Sequence, residues 1–238
     1  MDLTSWQAKI IDGPSGVYSF GQSTLLGDDY VVWGSASQLC RYSLTHSVWT
    51  CEAMQEIVDG PPGGWPLNNG STWMGNAFVS WGGVDSDGEF ATGWRLDIES
   101  RAWTPVSMVG APEARMVPLL RWLDDRLLVA GGVRRDGTVL DSGGFYDPAT
   151  DTWTPMSPTS GLSNSSAVVR AGDRVIFWNH ESAIGGVWDF ETATWTPVCT
   201  TNAMPEGNSK ASATWTGSSL VVLGGVKSDT RIGAQLTL

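Results

Sequence analysis

Short apolar runs recur along the chain between polar and glycine-bearing turns. No 3.6-residue apolar period persists beyond a couple of turns, so the pattern predicts strands throughout and an all-β fold. Five of the runs align as VVWGS, VSWGG, LVAGG, IFWNH and VVLGG. Their third residues are Trp33, Trp81, Ala130, Trp178 and Leu223, spaced by 48, 49, 48 and 45 residues. A second column is a Trp in a short mixed segment: Trp6, Trp49, Trp103, Trp153 and Trp195. A third column, Gly27, Gly75, Asp124, Gly172 and Gly217, ends the strand before each run. Such self-similarity is the mark of a repeat architecture.

Each unit holds four strand-like runs. In the third they are PLLRWL, RLLVAGG, SGGFYD and DTWTPM, separated by turn residues such as Asp124-Asp125 and Asp147-Pro148-Ala149-Thr150. A four-stranded antiparallel unit cannot bury both of its faces alone, and radial repetition buries them. The fourth-strand Trp is wide enough to reach the neighbouring unit. The whole chain, 1–238, reads as one domain. It begins with a fourth-strand segment around Trp6 and ends with a third strand, GAQLTL. Pairing these two would complete the last blade, close a five-bladed β-propeller and leave no open edge.

The Gly-Gly doublet after an apolar strand, followed by an aromatic and by YDPATDTWTPM (Tyr146 to Met156), resembles the kelch repeat. Asp97, Asp147 and Asp189 each precede their Trp by six residues, as that repeat has it. Two features depart from it. Kelch propellers usually have more than five blades, and the fourth unit replaces the doublet with Asn179 and His180. The resemblance implies loops gathered on one face that bind a protein, a peptide or a small molecule. Some kelch-like propellers are instead enzymes, among them sialic-acid epimerases and copper oxidases.

Composition narrows this. With 41% apolar and 16% charged residues the chain can fill a core, and 29 Gly with 14 Trp suit short strands and tight turns. The net charge of −11 argues against nucleic acid or an anionic membrane as partner. No run approaches the roughly 18 apolar residues of a membrane span. The first residues show no signal peptide, so a cytoplasmic monomer is the expectation. Two His (His46 and His180), in different units, cannot build a multi-His metal site, and no cofactor is expected. Cys40 and Cys51 would face each other across a hairpin centred on Thr45 and His46, either as a disulfide or as two small buried residues.

The candidate ligand-binding residues lie where the repeat brings chain to the channel mouth: Tyr18, Asn68, Asn69, Arg115, Asn164, Ser166, Asn208 and Lys210. Trp65, in the Pro- and Gly-rich loop from Ala53 to Asn69, is either a lid over a ligand or a plug. The loops after the second strands add Arg134 and several acids, and Asp85-Ser86-Asp87-Gly88 resembles the start of a calcium loop without its downstream acid. His180 breaks a local rule in one unit only, with Glu181 beside it. His180, Glu181, Tyr18 and Arg115 are the candidate acid–base groups for the alternative reading, a metal-independent isomerase, lyase or cyclase.

Overall fold

In the computed structural model of the chain, the described residues are 13, 20–34, 38–53, 67–156, 167–179, 184–198, 209–226 and 233–237. All of their regular structure is β-strand. The chain divides into two compact units, Met1–Gly64 and Trp65–Leu238. The first holds one four-stranded antiparallel sheet, β1 (Phe20–Leu26), β2 (Asp29–Gly34), β3 (Gln38–Ser43) and β4 (Val48–Ala53), in chain order.

The second unit repeats that meander. Its sheets are β5 (Gly70–Met74) to β8 (Trp103–Pro105), with β6 (Ala77–Trp81) and β7 (Gly93–Asp97) between them; then β9 (Leu119–Leu123), β10 (Arg126–Ala130), β11 (Gly143–Asp147) and β12 (Thr152–Met156). A third is β13 (Ala167–Ala171), β14 (Arg174–Asn179), β15 (Ile184–Asp189) and β16 (Thr194–Pro197). The last has three described strands, β17 (Ser209–Trp215), β18 (Ser219–Val226) and β19 (Gly233–Thr237). The four runs expected for the third repeat coincide with β9 to β12. Within this unit, first strands meet successively: β5 lies against β9, β9 against β13 and β13 against β17.

Strand alternation makes the core. On β10, Leu127 and Val129 pack with Val79 and Trp81 of the preceding sheet, while Leu128 and Ala130 pack with Val175 and Phe177 of the next. On β14, Ile176 and Trp178 turn the other way, to Leu220 and Val222 of β18. Both faces of a central strand are therefore buried, each against a different sheet.

The tryptophan column is one rung of the ladder. Across the sheets run Leu25–Tyr30–Tyr42–Trp49, Trp73–Phe78–Leu96–Trp103, Trp122–Leu127–Tyr146–Trp153 and Arg170–Val175–Trp188–Trp195. Trp153 reaches the preceding sheet as expected: its Nε1 donates to Ser107 O at 2.6 Å, and its ring meets Trp81 edge-on at 6.1 Å. Trp195 stands edge-on at 5.0 Å to Phe177 of its own sheet.

The third column marks the turn between first and second strands, where Gly27, Gly75, Asp124, Gly172 and Gly217 all have positive φ, from 58° to 99°. Glycine fills four of the five because a side chain is strained there. The Asp column caps the turn into the fourth strand. Asp97 Oδ1 accepts from the backbone N–H groups of Glu99 and Ser100, and Asp189 Oδ1 from those of Glu191 and Thr192.

Cys40 and Cys51 stand opposite each other in register and are joined as a disulfide. Cys40 is buried, but Cys51 is exposed, because β4 is the outer strand of its sheet.

Candidate functional site on the loop face of the second and third sheets

The site lies within the second unit, where the segment joining β8 to β9 passes the loops that follow β6 and β10. Two glycine doublets make that passage. Gly82 and Gly83 have φ of 71° and 102°, and Gly131 and Gly132 have φ of 61° and 90°. A Cβ on Gly82 would stand 2.7 Å from Arg115 O, and one on Gly132 2.5 Å from Met116 O. The missing side chains let the joining segment lie against both strand ends. There Gly83 N donates to Arg115 O at 2.9 Å, and Met116 and Val133 exchange bonds of 2.8 and 2.9 Å.

Arg115 is fully buried. Its Nε donates to Glu113 O at 2.9 Å, Nη1 to Gly131 O and Ser142 O at 2.9 and 2.7 Å, and Nη2 to Ser142 Oγ at 3.1 Å. Burial pulls its pKa down to about 10, which leaves it ionised at neutral pH. The guanidinium thus ties the β10–β11 loop to the joining segment.

Above it, Glu113 accepts from Arg134 and from Ser142 Oγ. Burial raises the Glu113 pKa, but these donors and the charges of Arg134 and Arg115 outweigh it and hold the carboxyl below its ordinary range. Such a carboxylate is a poor proton acceptor near neutrality. Arg135 N donates to the Glu89 carboxylate and joins the two outer loops.

The channel-mouth positions differ in character. Asn69 faces inward and donates from Nδ2 to Ser80 Oγ at 2.6 Å. Asn68 has φ of 58°, and its carbonyl accepts from Val117 N at 2.7 Å. Val117 itself has φ of 46°, an outlier for a β-branched residue. Asn68 precedes Gly75 by seven residues and Val117 precedes Asp124 by seven, so they are the same position of successive repeats. Beside them Leu67 is 72% exposed and Val117 57% exposed. Leu67, Val117, Glu113 and Ser142 are the participants that the repeat pattern alone does not single out. Only the seven-residue offset signals Val117.

Asp85 serves its own turn, its Oδ1 accepting from the N–H groups of Asp87 and Gly88 at 2.8 and 3.1 Å. Among the described residues no cluster of three or more His, Cys, Asp or Glu is placed to hold a metal ion. Tyr18, Trp65, Asn164, Ser166, His180, Glu181 and Asn208 lie outside the described residues, and of Lys210 only the backbone, in β17, is described.

No family model matches the chain. F-box/kelch-repeat protein SKIP30 of Arabidopsis thaliana is 31% identical over 105 residues, covering 40% of this chain and 29% of that protein. The solved structure of YjhT, a kelch-type propeller, matches with a TM-score of 0.59 at 16% identity, over 86% of this chain and 72% of its own. By fold, the chain is similar to the kelch-type propellers.

Proposed function

We propose that the chain is a five-bladed, kelch-like propeller acting as a binding module, with a protein, peptide or small molecule taken on the loop face. On this proposal the fifth sheet would gain its fourth strand from the segment around Trp6. The rung Trp215–Leu220–Leu236 in that sheet supports the reading, since it repeats the rung that ends on a tryptophan in the other sheets, and Trp6 would stand opposite Leu236. The relative named for F-box and kelch repeats supports an interaction role in general. On this reading the partner is not a nucleic acid or a membrane surface, given a net charge of −11.

One observation carries the binding reading. Left-handed backbone at Asn68 and Val117 accompanies two exposed apolar side chains, Leu67 and Val117, while the polar groups of Arg115, Ser142 and Glu113 bond to one another. Strain of this kind persists where the surroundings impose it, and it clusters at ligand-contact surfaces. Among the described residues no observation favours the acid–base enzyme reading, whose one described candidate, Arg115, is spent on its own loops.

The test compares partner recovery by the native chain with that of Leu67→Asp, Val117→Asp and, as a control, Met108→Asp, which is also exposed. The reading expects the two loop-face variants to lose what the native chain and the control both retain, with melting unchanged. Identical recovery by all four proteins would remove the loop face of these sheets from consideration.

A further inference from the structure

Three of the outer strands carry proline at one register position. Pro105, Pro155 and Pro197 stand opposite Trp94, Gly144 and Gly186. The residues following two of them, Val106 and Val198, donate inward to Gly93 O and Gly185 O at 2.9 Å. By strand alternation the nitrogens of Pro105 and Pro197 therefore face outward. A missing N–H there leaves the ladder whole and denies a donor to any strand that approaches the edge.

In β4 the same position, opposite Cys40, is Cys51. The first sheet thus has a cross-strand disulfide where three other sheets have an edge proline. The hairpin has other ties besides that bond. Its ladder runs unbroken from Gln38↔Ala53 to Ser43↔Val48, and Ser43 Oγ accepts from His46 N at 3.2 Å in the turn. Once opened, the two sulfurs remain on one rung, placed to rejoin. Only Cys51 is exposed, so an incoming thiolate meets that sulfur first.

We infer that Cys40–Cys51 is a reversible thiol-exchange site: a covalent lock on the outer edge of the first sheet that a dithiol reductant opens without unfolding it. The reductant's thiolate attacks Cys51 Sγ, the S–S bond breaks, and Cys40 Sγ leaves with the electron pair and takes a proton. The reductant's second thiol gives up its proton and attacks its own sulfur in the mixed disulfide, and Cys51 Sγ leaves and is protonated. Two electrons and two protons have passed to the cysteine pair, and the reductant ends as a disulfide. The opened edge carries an N–H at Cys51 where three other sheets have proline.

The experiment uses the full chain carrying Cys199→Ser, so that only this pair reports. It is equilibrated in graded mixtures of reduced and oxidised dithiothreitol, alkylated and weighed by mass spectrometry. The inference expects two alkyl groups to appear together in one transition, with the native far-ultraviolet circular dichroism retained. It also expects a melting temperature a few degrees lower that recovers on reoxidation. A companion, Cys40→Gly with Cys51→Pro, copies the third and fourth sheets and should melt alike with and without reductant. Alkylation only in denaturant, or loss of the native spectrum on reduction, overturns the inference and makes the bond a structural staple.

Discussion

At Ala193 the backbone stands at φ 51°, two residues before Trp195, and Ser47, Arg101 and Asp151 repeat that conformation before their own tryptophans. A left-handed residue with a side chain costs roughly 1–2 kcal/mol, of which glycine returns part through its unfolded-state entropy. Ala193→Gly should therefore stabilise the chain by about 0.5–1 kcal/mol, read as a rise of a few degrees in melting temperature; no rise would mean the turn is not left-handed. Arg115 gives the opposite expectation. Arg115→Met takes a donor from the Gly131 carbonyl, leaves the Ser142 carbonyl with the longer bond from Gly131 N, and should cost about 2–4 kcal/mol. Lys cannot reproduce the fork and should rescue little of it. Unchanged melting in either variant would return Arg115 to the ligand-binding set. An arginine at a channel mouth reads the same in a sequence whether it serves a ligand or its own backbone. That is why its spacing located it and its role stayed hidden. The left-handed positions before the tryptophans were equally silent, because none of them is glycine.

Among the elements, the turn into each fourth strand and the tryptophan that follows it work together. Asp97 and Asp189 are held below the ordinary carboxylate range, Asp97 chiefly by the backbone N–H of Ser100, and Asp189 by that of Thr192 and then by Arg174. A lowered folded pKa contributes stability that is present above the unfolded value, near 3.8, and is lost as pH falls through the folded value. The melting temperature should thus fall with acid below about pH 4, and less steeply in Asp189→Asn, which keeps an acceptor but cannot be protonated. Equal slopes would remove Asp189 from the account. Trp153→Phe loses the bond to Ser107 O and part of the contact with Trp81, and should cost about 2–3 kcal/mol in a urea titration. These elements were legible in the sequence because they recur. A Trp six residues after an Asp in three repeats, and a glycine at four of the five first turns, announce themselves by period. The doublet at 82–83 was legible as glycine but not for its reason, the passage of a neighbouring chain segment, which no local pattern encodes.

For the whole molecule, the proposed ring would need its last sheet, which has three described strands against four in each of the other sheets, to be completed from the other end of the chain. Both the count of five and the closure rest on that completion, since β19 has no outer partner among the described strands. A crystal structure of the full chain tests this most directly. The account predicts five sheets about one axis, with the segment around Trp6 hydrogen-bonded along Gly233–Thr237 and Trp6 opposite Leu236. A free outer edge on β19, or any other number of sheets around the axis, would contradict it.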